Sequence, residues 1–583
     1  MTKYYGVYQL LFLFLIGSIM SCSSCSKKND DEPQYEKEIG QTVDGVRIAW
    51  DYKSLQRIAP QEGRSLNWAG YPRVHKLKDG TVWVTYETQG NIEYVKSDDD
   101  CKSWSEPVIL FEKQQQFNGS GQATFVNMSN GELIELSDGT ILTACNYRPV
   151  DGGIVPFAIA IKRSVDKGVS WSDAEVIYEA GTDFNNGCWE PAFLQVPSGE
   201  VQVYFANEGL FTQSEEQNIS MLKSLDSGIS WSTEITEVCF RAHHRDGMPV
   251  PILLNDEIVV AIEDNVSGQF KPYTVRTSVI DAWNIPILAQ SDNRNSALIE
   301  EYPDATYAGA PYLIAGLDGV SFLSYQTTYK RNSNWELSTM EVAISDENAK
   351  GFTKQTRPFD VPITKEAKWN ALGMLDENTV VALSSTNFSS QNCGVWLIKG
   401  YIIPELSLQT TSINVDGSIE AEDWGELPLF VGHTSANQVK AGVKHDGENL
   451  YFAAKLLLDE ATDIQQSEVS ITLDPFDNWD SEDASILYKY VLTPTGKAVA
   501  YMRTGADWKE TETSARWVVK QDEGNCFSFE LKIPFDQLEW EKAETFRVNV
   551  GLGYPDKSDN KIYEWIANST AQNPRSWCRV SAR

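Results

Sequence analysis

Histidine is scarce in this chain of 583 residues: there are five, and none stands in an HExxH or an i, i+4 arrangement, so the usual zinc-hydrolase helix is missing. Cysteine is no more informative. Beyond Cys22 and Cys25 the chain has Cys101, Cys145, Cys188, Cys239, Cys393, Cys526 and Cys578, an odd and scattered set without CxxC spacing. Neither a disulfide scaffold nor a zinc site is expected from it. No G-x-S-x-G elbow, Walker loop or post-strand G-x-G-x-x-G occurs, which leaves serine-hydrolase and nucleotide chemistry without a foothold. Positive charge is also short, with 49 Lys and Arg against 82 Asp and Glu and a net charge of −33. Such a surface repels phosphate backbones and anionic lipid, so nucleic acid is excluded as a partner. No metal and no cofactor is expected.

Long apolar runs are missing as well, apart from one at the N-terminus. Lys3, the apolar stretch Leu10 to Ile19 and then Ile19-Met20-Ser21-Cys22 read as a signal peptide over residues 1–21, too short to span a membrane comfortably. The last four residues resemble the bacterial lipobox, which implies lipidation at Cys22. The polar residues 22–45, with Lys27-Lys28-Asn29-Asp30-Asp31-Glu32, are expected to be a flexible tether resembling that of surface lipoproteins. The implied location is the bacterial outer membrane, lipid-anchored at the cell surface, with membrane contact only through the anchor.

What the chain does have is β-structure in repeats. Aromatics make up 11% of it, with 39 Gly and 23 Pro, the composition of a β-rich globular protein. Six hairpin signals run along it: Val74 to Glu87 around Asp79-Gly80, Leu133 to Tyr147 around Asp138-Gly139, Phe193 to Glu208 around Ser198-Gly199, Ile252 to Asp264 around Asn255-Asp256, Leu313 to Thr327 around Asp318-Gly319, and Leu372 to Asn387 around Asp376-Glu377-Asn378. The turns recur about every 60 residues, one four-stranded blade with loops, which predicts a six-bladed β-propeller over residues 46–402.

A second repeat agrees. Ser164-Val165-Asp166-Lys167-Gly168-Val169-Ser170-Trp171 and Ser224-Leu225-Asp226-Ser227-Gly228-Ile229-Ser230-Trp231 share S-x-D-x-G-x-x-W, and Ser97 to Trp104 departs from it only by Cys101 in place of Gly. These resemble the Asp boxes of the sialidase superfamily, which are structural: Ser and Asp bind backbone donors, Gly takes a positive φ and Trp packs under the turn. The fold class is therefore all-β.

Topology narrows the site. The loops before each blade's first strand and after its second share a rim around the axis, and the Asp boxes fall on the other face. The rim then holds Tyr71, Arg73 and Glu87; Asn130, Glu132, Asn146, Tyr147 and Arg148; Glu190, Asn207 and Glu208; Arg245, Asp246, Glu263 and Asp264; Tyr307, Tyr312 and Gln326; Trp369, Asn370 and Asn387. Carboxylates, arginines, amides and aromatics together suit a sugar.

Tyr71-Pro72-Arg73-Val74, Cys188-Trp189-Glu190-Pro191, Gln202-Val203-Tyr204-Phe205, Arg245-Asp246-Gly247-Met248 and Gly309-Ala310-Pro311-Tyr312 resemble glycoside hydrolase family 93, exo-acting arabinanases on a six-bladed sialidase-like propeller. The resemblance runs through most of residues 60 to 390 and implies a retaining pair of glutamates that fall on Glu190 and Glu263. Retention requires carboxyl groups about 5–5.5 Å apart, one a nucleophile and the other an acid and then a base. Trp189 and Pro191 would desolvate Glu190, raise its pKa and favour the acid/base role. The other implied contacts to substrate are Tyr71, Arg73, Asn146, Arg148, Asn207, Glu208, Arg245, Asp246, Tyr312, Gln326 and Trp369. A sialidase is the alternative: Arg73 stands near its first arginine, and Arg148 and Arg245 add charge, but the string is Tyr-Pro-Arg rather than Arg-Ile-Pro. A glycan-binding lipoprotein without turnover is the second alternative.

After Gly400 the period is lost. Residues 405–583 show alternating strands such as Asn449 to Leu457, Glu468 to Leu473, Lys497 to Arg503 and Cys526 to Ile533, which predict a β-sandwich. Leu473-Asp474-Pro475, Phe529 to Pro534 and Arg547-Val548-Asn549 resemble carbohydrate-binding module family nine. Trp424, Trp479, Trp508, Trp565 and Trp577 are its candidate stacking platforms, and Asp474, Asp477 and Asp480 could ligate calcium, although such a run is more often a solvated loop.

Overall fold

The computed structural model describes residues 46–583, apart from 317–319, 346–348, 409, 433–435, 477–485, 506, 541–544, 557, 567–573, 575–576 and 583. Cys22, the proposed leader and tether, the Asp318-Gly319 turn, Trp479, Asp477 and Asp480 lie outside the described residues.

Six antiparallel sheets follow one another along the chain. Their innermost strands are Gly70–Lys76, Ala123–Glu135, Cys188–Gln195, Asp246–Leu254, Ala308–Ala315 and Ala367–Asp376, and each pairs with the strand that follows its hairpin turn. Each inner strand packs against the next, and the sixth packs against the first, so the ring closes as a six-bladed propeller. The seam is sealed by the first described strand, Val46–Ala59, which runs antiparallel to Gly394–Ser407 as the outermost strand of blade six, from Val46 beside Pro404 to Ala59 beside Val395.

The blades read as continuous apolar runs because both of their faces are covered. In Val82–Thr88, Val82, Val84 and Tyr86 enter the core toward blade six, while Trp83 turns to blade two and stacks on Tyr94 at 4.8 Å. The alternation that would leave a polar face on an open sheet here fills two cores. Turn chemistry is as expected where it is described: Gly80, Gly139 and Gly199 have φ of 86 to 92°, and Asn255 takes 53°.

The Asp boxes close strands three and four of their blades. Asp226 Oδ1 accepts from the Ser230 and Ile229 amides and from Ser224 Oγ, and Oδ2 accepts from Ser230 Oγ. Asp166 and Asp99 repeat the pattern. Gly168 (φ 74°) and Gly228 (φ 79°) have the expected backbone, and Cys101, standing for glycine, is forced to φ 65°.

The C-terminal strands form two facing sheets around one core, a sandwich. One holds Leu429–Val431, Gln438–His445, Asn449–Leu457, Cys526–Pro534 and Arg516–Gln521; the other is built on Glu468–Asp474 and Thr545–Pro555. Strand Gly394–Ser407 passes from blade six into this second sheet, where Glu405 to Ser407 pair in parallel with Cys578–Ser581. Trp424 and Trp577 are buried, and Trp424 Nε1 donates to Glu530 Oε1 at 2.9 Å, so these two are core residues and not stacking platforms.

Candidate active site

Six equivalent distortions build the site. At the head of every inner strand two residues stand opposite one: Tyr71-Pro72 against Tyr86, Asn130-Gly131 against Cys145, Glu190-Pro191 against Phe205, Met248-Pro249 against Ile262, Ala310-Pro311 against Tyr325, and Trp369-Asn370 against Ser384. Each is a β-bulge, and the first residue of each pair has φ between 50 and 55°. Proline suits the second place in four of the six, since a bulge frees that residue from donating to the ladder. A left-handed conformation costs a non-glycine residue about 1–2 kcal/mol, so the ring of bulges holds strain at one end of the channel. Its consequence is that strand alternation fails there. Trp189 and Glu190, neighbours in sequence, both line the same pit.

That pit has a volume of about 400 Å³ and is walled by Trp68, Tyr71, Glu87, Arg148, Trp189 and Trp369 around Glu190. Glu190 reaches toward blade four, where its Oε2 accepts from the Met248 amide at 3.3 Å. Glu263, near the end of that blade's second strand, pairs with Gly247, and its Oε2 accepts from the Ala310 amide at 2.8 Å. The two carboxylates thus meet the chain at Gly247 and Met248, where the blade-four bulge begins. Glycine leaves room for Glu263: a Cβ on Gly247 would press on Glu263 Oε1 at 3.0 Å, and one on Gly309 would clash, standing 2.6 Å from Glu263 Oε2 and 2.7 Å from the Tyr307 hydroxyl.

Burial, followed by the charge of Glu263, pushes the Glu190 carboxyl up to about 8. Burial raises Glu263 to about 7 against the pull of the Ala310 amide and Arg245, and raises Glu87 to about 7 against Ser129, Arg148 and Arg73. Glu190 is raised further than Glu263, whose negative charge contributes to that. The desolvation expected of Glu190 is therefore present.

Tyr71, Arg148 and Trp369 line the pit beside Glu190, and the Tyr71 hydroxyl is buried without a partner. Arg245 and Glu208 form an ion pair outside the lining of the pit, joined to it through Glu208 Oε2, which accepts from Trp189 Nε1 at 3.0 Å. Gln326 is buried behind the wall, joining the Tyr307 hydroxyl (2.9 Å) to the Trp369 amide (2.7 Å).

The remaining expected contacts are elsewhere. Asn207 is fully buried and donates to Tyr178 and Ser220. Asp246 is fully buried against Arg294, which it shares with Asp264. Asn146 is fully buried and does not border the pit. Arg73 lies one layer down, 3.4 Å from Glu132, and Tyr312 faces a second cavity of about 510 Å³ on the far side of that layer. These residues stand at the strand ends that face the rim, but position along a strand does not say which way a side chain points, and at Arg73 and Tyr312 a bulge precedes the residue and exchanges the two faces. Trp68, Ser129 and the amides of Met248 and Ala310 were missed. The repeated signal that marks their level is x-Pro after Gly70, Trp189, Gly247 and Gly309.

Fold and pit together define the class: a six-bladed β-propeller with Asp-box turns whose candidate site is a pit lined by Glu87 and Glu190 at the level of the bulges. Residues 53–256 match the family model of a BNR repeat-like domain. No curated protein matches the chain. Among solved structures, a Dyadobacter fermentans protein of unknown function is similar over 62% of this chain and 100% of its own, at 17% identity and a TM-score of 0.46. The Penicillium chrysogenum α-L-arabinanase complexed with arabinobiose is similar over 61% of this chain and 97% of its own, at 19% identity and a TM-score of 0.43. The NanB sialidase of Streptococcus pneumoniae is similar over 60% and 70%, at 13% identity and a TM-score of 0.42.

Proposed function

We propose that this protein is a retaining exo-glycosidase acting on α-L-arabinan, tethered to the outer membrane through a lipidated Cys22, with its C-terminal sandwich holding the polymer. The observation that carries the reading is the meeting of Glu190 and Glu263 at the blade-four bulge, two partly buried carboxylates of raised pKa fixed by neighbouring backbone amides. The resemblance of the surrounding strings to family 93 supplies the sugar.

With one proton between them, the ionised member attacks the anomeric carbon while the protonated member gives its proton to the departing glycosidic oxygen. A covalent glycosyl-enzyme forms. The second carboxylate then takes a proton from water as that water attacks the same carbon, which returns the pair to its starting state with the anomeric configuration retained. Trp68, Trp189 and Trp369 offer their faces to the C–H surfaces of the sugar, and Arg148 and Arg245 hold hydroxyls. The sialidase alternative is weakened because Arg73 is engaged with Glu132 beneath the pit, away from any substrate carboxylate.

The test is product analysis on a polysaccharide panel that includes linear arabinan and sialylated glycans, with the anomer followed by NMR. Release of an arabinose product with retention is expected, and Glu190→Gln and Glu263→Gln each lose about 10³-fold in turnover while still binding. Azide rescue then assigns the roles: a retained glycosyl azide identifies the acid/base variant and an inverted one the nucleophile variant. Free sialic acid, an inverted product, or full activity in either variant overturns the reading. Loss of lipid labelling in Cys22→Ala tests the anchor.

A further inference from the structure

Beneath the pit a single layer of buried charge crosses the channel. The Arg73 guanidinium lies between two rings, 4.1 Å from the centre of Tyr71 above it and 4.9 Å from Tyr312. Its Nη1 donates to the carbonyls of Pro72 (2.8 Å) and Asn370 (3.3 Å), each the second residue of a bulge, one on either side of the seam between blades one and six. Its Nε faces Glu132 of blade two at 3.4 Å, and the other oxygen of Glu132 lies 2.7 Å from His75 Nε2. One side chain thus ties together bulges that carry two walls of the pit, Tyr71 and Trp369, and brings a permanent positive charge under a cluster of acids.

We propose that Arg73 is a positioning residue: held from below by Glu132, it fixes Tyr71 in the wall of the pit and keeps a cation beneath Glu190. This rests on the glycosidase reading for its consequence in turnover, but not for its electrostatics. The groups that face Arg73 are Tyr71 and Glu87 of blade one, Glu132 of blade two with His75 behind it, Glu190 of blade three and Tyr312 of blade five. Those that face Glu190 in turn are Glu263, Glu208 and Arg245. A guanidinium stays charged at all working pH values, so it favours the ionised form of each acid around it, and Glu132 offsets that field from the far side. Removing the cation and removing its counter-charge must therefore act in opposite directions, which a merely structural role would not produce.

The experiment uses full-length Arg73→Met, Arg73→Lys and Glu132→Gln, each checked for folding by its thermal transition, with the pH profile of kcat/KM on arabinan as the readout. In Arg73→Met the carboxylate limbs move up by about one pH unit and kcat falls at least about tenfold; in Glu132→Gln the limbs move down; Arg73→Lys returns them toward the parent. Limbs that stay in place, or that move the same way in Arg73→Met and Glu132→Gln, overturn the proposal. Should Arg73→Met fail to fold, the Glu132→Gln profile decides alone, and the absence of a downward move overturns it. If the parent turns over no substrate, the glycosidase reading has failed and the proposal is judged on Tm against pH for the same chains. The alkaline fall in Tm that comes from carboxylate ionisation then moves up in Arg73→Met and down in Glu132→Gln, and coincident curves overturn it.

Discussion

A hydrogen on Cα is all that Glu263 leaves room for at Gly309. The added methyl of Gly309→Ala would meet Glu263 Oε2 at 2.6 Å and the Tyr307 hydroxyl at 2.7 Å, and neither is the free end of a long flexible chain. Glu263 is held by the Ala310 amide and Tyr307 by Gln326, so the carboxylate must swing out of its place. Displacement of a reacting group by about 1 Å costs on the order of 100-fold in rate. Gly309→Ala is expected to lose about that factor in kcat while keeping a cooperative thermal transition, and kinetics beside calorimetry check it. Parent-like kcat would mean that Glu263 is not where the chemistry happens. The same residue-scale view explains why Arg73, Asn207, Asp246 and Tyr312 read as rim residues in the sequence. Their side chains have the right type and lie within a few positions of the pit, but Arg73 and Tyr312 follow a bulge, whose inserted residue exchanges the two faces of a strand, and Asn207 and Asp246 turn into the blades, onto Tyr178 and Ser220 and onto Arg294.

Among the elements, the Asp boxes were the most legible because their chemistry is local: a Ser, an Asp and a Gly within five residues satisfy one another, whatever the rest of the chain does. Gly168 shows how such a turn also reports on packing. It has φ 74°, and a Cβ there would stand 2.3 Å from the indole of Trp83 in the neighbouring blade. Gly168→Ala therefore combines a left-handed backbone with an overfilled contact, and we expect a loss of about 2–4 kcal/mol in chemical denaturation with kcat unchanged. The bulges were less legible. Their x-Pro pairs stand in the sequence at Tyr71-Pro72, Glu190-Pro191, Met248-Pro249 and Ala310-Pro311, but Asn130-Gly131 and Trp369-Asn370 break the pattern, and it is the sixfold geometry that makes them equivalent. The bulge amides also explain why acids and amides recur at this level: Glu190 caps Met248, Glu263 caps Ala310 and Gln326 caps Trp369, each reaching to the next blade. Closure by Val46–Ala59 was not legible at all, since its partner is about 350 residues away and β-pairing leaves no local mark of which strand it will meet.

For the whole molecule, two sets of carboxylates pull stability in opposite directions with pH. Asp166 and Asp226 are lowered to about 2 by the hydroxyl and amide donors of their turns, Ser170 and Ser230 foremost. Their folded values lie below the unfolded one, so their contribution is present above about 4 and is lost as pH falls toward 2. The buried acids in and beside the pit work the other way. Glu190 at about 8, with Glu263 and Glu87 at about 7, binds protons that the unfolded chain has already released, because burial outweighs the amides and arginines that favour the anions. Stabilisation from these protons is complete below the ordinary glutamate value near 4.5 and is lost as pH rises through 7 to 8. The protein is expected to reach its highest Tm on the acid side of neutrality, between the two windows. Glu190→Gln removes one of the groups that must be ionised in the dark of the pit, and its amide keeps the shape. Relative to the parent it is expected to melt higher at pH 8.5 and at nearly the same temperature at pH 5, while losing turnover at both. Scanning calorimetry of the two chains across pH 4 to 9 checks this, and parallel curves would show that Glu190 titrates as an ordinary surface acid, without the burial on which its part in catalysis depends.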